Sequence, residues 1–190
     1  GATGGNMNAT ALGLNGGWGG ITVTKEFVNK FEASTRNGNN EPTAWNDKRA
    51  MFHTDGQTFE STDYVKDFTK GGYAVTKFKN ITSTGAAGKD PAKDFPDTDL
   101  PLIRLAEVYL TYAEAVLRGG TGGDRATALG YINQLRTRAY GSAAGNIADA
   151  DLTLDFILDE RARELYWESL RRTDLIRYGK FTNASYLWSF

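Results

Sequence analysis

The 190-residue chain contains no cysteine, one histidine, four prolines and two methionines. Without cysteine it has no disulfide, no thiolate nucleophile and no cysteine-based zinc site, and the redox compartment is left undetermined. With His53 as the sole imidazole, a multi-histidine metal site cannot be built, and a Ser-His-Asp triad would have to use that residue. His53 follows Met51-Phe52 and precedes Thr54-Asp55-Gly56, a strand end running into a turn, which favours a structural or solvent role. There is no apolar run of about 18 residues to span a bilayer, and no charged-then-apolar start of the signal-peptide kind. Charge of one sign is also missing: 22 basic residues against 23 acidic ones leave a net charge of -1. No field is therefore available to draw nucleic acid or an anionic membrane surface. The 40% hydrophobic content can bury one sizeable core, as one domain or a little more.

What is present is organised around residues 152–181, LTLDFILDERARELYWESLRRTDLIRYGKF. From Leu152 to about Tyr178 there is no Gly or Pro, which predicts one long helix or a helix with a single break. Leu158, Ala162, Leu165, Ser169, Arg172 and Ile176 step by three or four along one stripe, with Arg172 the misfit. Thr153 is the expected N-cap, and Asp155 and Asp159 suit the positive helix end. Arg171, Arg172, Arg177 and Lys180 suit the other end, and Gly179 is the stop.

Glu160, Glu164 and Glu168 recur every four residues and line up three carboxylates, as an acid/base or metal site requires. Arg163 lies three after Glu160, and Arg171 and Arg172 lie three and four after Glu168, so a salt-bridged face explains them better. The acid pair Asp97 and Asp99 reads equally well as turn and cap residues, and no metal site is expected.

In chain order, residues 1–20 hold eight glycines and read as loop. Trp18 sits among Gly16, Gly17, Gly19 and Gly20. Flanking glycines remove the side chains that would cover the indole and leave a flat apolar face, on which the C–H patch of a sugar ring can stack. Asn15 is the nearest amide able to bind hydroxyls. The alternative is a Trp folded back as the plug of its own loop, and both readings stay open. A short helix is expected from Thr22 or Thr24 to Glu32, with Phe27, Val28 and Phe31 on one face. RNGNNEPTAW breaks it. Trp45 is a second candidate platform, although an anchor at the edge of the core suits it better. Strands are expected at residues 50–53, 58–60 and 71–78, and residues 82–95 read as a solvated, mobile connection.

The helical half begins at Asp99. DLPLIRLAEVYLTYAEAVLRGG offers Asp99 as N-cap, Pro101 in the first turn, and Ile103, Ala106, Leu110, Ala113 and Leu117 on one face. A second helix from Asp124 to about Ala139 places Ala128, Tyr131, Ile132, Leu135 and Ala139 on one side. Joined by Gly119-Gly120, the two form an antiparallel hairpin with the small-against-large packing of tetratricopeptide repeats. No second copy appears at the 34-residue period, so the chain makes no solenoid by itself.

Several of these segments, in order, are similar to one family. WGG before a Thr-led helix, Asp47-x-Arg49 before a strand, GYAVTKF with Asn80, LPLIRLAEVYLTYAEA, and above all ERARELYWESLRRTDLIRYGKF resemble the SusD/RagB family of outer-membrane glycan-binding lipoproteins. The resemblance covers most of the chain from Trp18 to Phe190. It implies a mainly α fold, SusD-like, with a tetratricopeptide-like hairpin, a long C-terminal helix, Gly-rich loops and a small β-hairpin or sheet. Residues 1–98 would be the loop-rich, glycan-facing region and residues 99–190 the helical region of one larger domain. Hairpin faces that meet earlier repeats would be exposed.

The implied function is non-catalytic binding of oligosaccharide or polysaccharide, without a cofactor, on the extracellular face of the outer membrane. The implied partner is a SusC-like TonB-dependent transporter, and contact with the membrane is through a lipid anchor absent from this chain. Trp18 matches a position from which the family supplies a stacking aromatic. Two other classes are weighed against this: a helical adaptor whose ligand is protein, and a glycoside hydrolase using Glu160 and Glu164, which needs two carboxylates about 5 to 9.5 Å apart beside a groove.

Overall fold

A computed structural model describes residues 3–63 and 67–183. Expectations for residues 1–2, 64–66 and 184–190, including the outer ends of both predicted regions, lie outside the described residues. Within them the chain forms five α-helices and two small antiparallel sheets.

The first half is built around aromatic rings. Strand β1 (Thr22–Val23) leads into α1 (Lys25–Val28), a single turn where the sequence predicts a helix reaching Glu32. The chain turns after Asn29 because Phe27 and Phe31 fold together edge to face, 5.6 Å apart, over Phe52 and Tyr166. The stretch read as a helix breaker is a β-hairpin, with β2 (Ala33–Arg36) paired to β3 (Pro42–Trp45). Asn37 builds its turn by accepting the N–H groups of Asn39 and Glu41 at 3.0 Å each, and Asn40 takes the left-handed conformation at φ 62°. Strands β4 (Phe52–His53) and β5 (Tyr73–Val75) complete a sheet of order β1-β5-β4. Residues 58–60 are not a strand; the Thr58 hydroxyl bonds the Glu60 carbonyl at 2.7 Å and bends the chain there. His53 is at the expected strand end and bonds Asn6 Oδ1 through Nε2 at 2.7 Å.

The second half is a helical hairpin crossed by a third helix. Helix α2 (Leu105–Leu117) packs on α3 (Arg125–Tyr140) through Ala106, Leu110, Ala113, Ala128, Ile132 and Leu135. Tyr109 stacks flat on Tyr131 at 4.2 Å, and Asp124 caps α3 by accepting from Thr127 N at 2.8 Å. Helix α2 begins six residues after Asp99, which is therefore not its cap, and Pro101 precedes the first turn. Pro101 disfavours helical backbone at Leu100, the chain bends at Leu102 and Ile103, and Arg104 is extended, its side chain reaching across to Glu164 and Glu168. In consequence Ile103 is not on the packed face; it is 79% exposed, beside exposed Leu100, Leu102, Leu105 and Val108.

The stretch from Leu152 takes the broken form. Helix α4 (Leu154–Leu165), capped by Thr153 accepting from Phe156 N, is followed by α5 (Arg171–Arg177). Trp167 and Ser169 between them have φ of 61° and 63°. This break turns the stripe: Leu158, Ala162 and Leu165 are buried, whereas after it Leu175 is buried and Ile176 exposed. The chain breaks without Gly or Pro because Tyr166 leaves the helix axis to join the aromatic cluster, where its hydroxyl donates to Arg49 O at 2.7 Å.

Candidate functional site

Two groupings merit a functional test: the three glutamates of α4 and the break after it, and the tryptophan loop. The glutamates are inside the molecule. Glu160 is fully buried, and Glu164 and Glu168 nearly so. Glu160 accepts from Arg49 at 2.8 Å, from Arg136 at 2.9 Å and from Arg163 at 2.6 Å. Glu164 is held by Arg104 and Arg138 at 2.6 Å each and by Arg49 at 3.1 Å, while Glu168 takes Arg104 at 2.7 Å and Lys77. Arg49 is itself fixed by buried Asp47, through Nε at 2.9 Å and Nη2 at 2.7 Å.

Burial works against the Glu160 charge, yet the guanidiniums of Arg163, Arg49 and Arg136 together outweigh it and hold its carboxyl at about 2. Glu164 and Glu168 are likewise pulled below the usual range against burial, by Arg104 first in each case. Burial lowers the Lys77 ammonium despite its bond to Glu168. A carboxylate clamped in this way neither gives nor takes a proton near neutral pH, so Glu160 and Glu164 do not form a hydrolytic pair. The cavity of about 380 Å³ beside them, edged by Met51, Phe78, Pro101 and Arg138, opens onto this committed network.

Helix spacing correctly pairs Glu160 with Arg163, but the other partners come from across the fold. Arg171 bonds Leu158 O, and Arg172 lies 5.0 Å from the Phe181 ring. Asp47-x-Arg49 stands out in the sequence as an element before a strand, but nothing in its spacing links Arg49 to Glu160, 111 residues away.

The tryptophan loop has the opposite character. Trp18 is 92% exposed, so it is not a plug. Its loop is seated rather than loose. A Cβ on Gly19 would come within 2.8 Å of the Phe68 ring, so this backbone lies directly on an aromatic face where only glycine fits. Upstream, Asn15 N donates to Lys93 O at 3.2 Å. Gly13, with φ of 76°, passes so close to Asn80 that a Cβ would overlap the Asn80 carbonyl. Buried Asn80 in turn donates to Gly13 O at 3.2 Å and accepts from Asp97 N at 2.8 Å. Residues 82–95, expected to be a mobile connection, are thus tied back to the body, with a bridge between Ile81 and Ala87. The third candidate, Trp45, lies elsewhere, its ring 5.2 Å from Phe52 and 6.5 Å from Tyr73 in the aromatic cluster. That packing matches the anchor role. Among the described residues no group of acidic or histidine side chains is placed to hold a metal ion.

An α-rich molecule, with a tetratricopeptide-like hairpin braced by α4 and a ring-faced loop on the sheet half, is the class this geometry defines. The family model described as the SusD family matches residues 2–188, and the chain belongs to that family. It is 41% identical over 147 residues to the starch-binding protein SusD of Bacteroides thetaiotaomicron, a match that takes in 76% of this chain and 24% of that protein. Among solved structures it is similar to a SusD superfamily protein from Bacteroides vulgatus, at 31% identity and a TM-score of 0.50 over 71% of this chain and 26% of the other. Surface glycan-binding protein A from Bacteroides thetaiotaomicron superposes with a TM-score of 0.58 at 25% identity, over 90% and 34% of the two chains. The chain thus spans about a quarter of the curated relative's length.

Proposed function

We propose that this protein captures oligosaccharide or polysaccharide at the cell surface, without cleaving it, and delivers it to a SusC-type TonB-dependent transporter in the outer membrane. The observation that carries the reading is Trp18: an indole 92% exposed on a loop whose backbone is pinned at both ends. A large aromatic face held rigidly in water has no packing function and suits the C–H face of a pyranose. Asn15, exposed three residues before it, supplies an amide for hydroxyls, and Trp45 serves chiefly as an anchor in the aromatic cluster. The starch-binding and glycan-binding names of the relatives point the same way, and family membership supports placement on the extracellular face through a lipid anchor.

The second reading, a protein-binding helical adaptor, is favoured by one observation: the exposed apolar run of Leu100, Leu102, Ile103 and Leu105 leading into α2. Electrophoresis of the full-length protein through gels containing soluble starch and other polysaccharides separates the two. Glycan capture predicts retarded migration in at least one gel with no new reducing ends released. Unretarded migration in all of them favours the adaptor, and released reducing ends would refute the non-catalytic reading.

A further inference from the structure

A second ring stands beside the Trp18 loop. In residues 89–97 Phe95 is 76% exposed, amid Asp, Lys and Pro. One exposed phenylalanine is ordinary; the way this one is fixed is not. The Asp90 carboxylate accepts the backbone N–H groups of Ala92, Asp94 and Phe95 at 3.1, 2.9 and 3.0 Å. The bond from Phe95 first, then those from its neighbours, holds that carboxyl below its ordinary value. Lys93 takes the left-handed conformation at φ 58° to make the turn, and Asp97 closes the neck by accepting Lys89 N at 2.6 Å.

The same buried Asn80 that holds the Gly13 carbonyl also receives Asp97 N, and Lys93 O receives Asn15 N. Two loops with one exposed ring each therefore share one anchor. Trp18 is three residues from Asn15 and Phe95 two from Lys93, so their Cα atoms lie at most roughly 25 Å apart, a span that an oligosaccharide of several residues can bridge.

We infer that Phe95 is a second stacking platform of the Trp18 site, engaged only by glycans long enough to reach both rings. The inference rests on the glycan-capture reading. Two rings fixed in advance hold an extended ligand with little ordering cost, whereas a short ligand meets only one of them.

The test is calorimetric titration of the full-length protein and its Phe95→Ala and Phe95→Tyr variants with maltotriose and maltoheptaose, the glucan series indicated by the starch-binding relative. The expected result is about a tenfold or greater weakening for maltoheptaose in Phe95→Ala, little change for maltotriose, and near-complete retention in Phe95→Tyr. Maltoheptaose binding unchanged in Phe95→Ala, or weakened equally for both lengths, overturns the assignment and leaves glycan capture standing. Wild-type protein that binds neither sugar overturns the glucan reading and Phe95 with it.

Discussion

Trp18 leaves 92% of its surface in water, while Glu160 leaves none. The difference fixes what each can do. Removing an exposed ring forfeits little packing, so Trp18→Ala is expected to leave the unfolding free energy from urea titration within about 0.5 kcal/mol of wild type. A larger drop would mean that the ring supports the fold. Glu160→Gln instead strands Arg49, Arg136 and Arg163 around a neutral amide and is expected to cost about 3–5 kcal/mol in the same measurement. The acid dependence has a definite sign. Glu160, Glu164, Glu168 and Glu114 all have carboxyls held below the ordinary 4.5, so the unfolded chain takes up protons first as pH falls. Their stabilisation is present above about pH 4.5 and is lost as pH falls below it, down to about pH 2 for Glu160, which alone contributes on the order of 3 kcal/mol. A urea midpoint that stays flat from about pH 6 to about pH 3 would contradict this. The flanking glycines of Trp18 allowed an exposed ring and a plug alike, and the 92% exposure decides between them. The glutamate network was legible only in part, because spacing along a helix reports neighbours three or four residues away, and Arg49 is 111 residues from Glu160.

At the level of elements, α3 with its Asp124 cap and the cap at Thr153 follow from periodicity and capping residues, since both are local, whereas periodicity finds α2 but the cap expected at Asp99 does not start it. The β2–β3 hairpin was hidden because Asn-Gly-Asn-Asn reads as a breaker as readily as a turn, and pairing partners decide between them. The break between α4 and α5 was foreseeable as an option but not in position, because it is set by Tyr166 turning into a cluster formed by Phe27, Phe31 and Phe52 from the other half of the chain. Ser169 is exposed and left-handed at that break, so Ser169→Gly is expected to stabilise by up to about 1 kcal/mol, read as a higher thermal midpoint. A lower midpoint would show that the Ser169 side chain compensates its backbone. Asn80 is the element that joins loops. Asn80→Ala removes its two side-chain bonds, to Gly13 O and from Asp97 N, and is expected to destabilise by about 1–3 kcal/mol and to weaken glycan binding together with Trp18 and Phe95.

Over the whole molecule, the two halves divide the labour. Glu160 and Glu164 of α4, with Glu168 just beyond it, tie the sheet half to the helical hairpin through Arg49, Lys77, Arg104, Arg136 and Arg138, and this body carries the ring-bearing loops at its surface. Chemistry that resembled a catalytic triad of acids in one dimension is internal scaffolding in three. The glycines that resembled mere loop seat the backbone on Phe68 and leave the face of the Trp18 indole in water. The central claim is that this face is the glycan site. Isothermal titration of the full-length protein and its Trp18→Ala variant against soluble plant, host and microbial glycans, starch first, tests it most directly. The account predicts saturable binding of at least one glycan that falls by about tenfold or more in the variant; binding kept intact by Trp18→Ala, or no binding to any glycan, would contradict it.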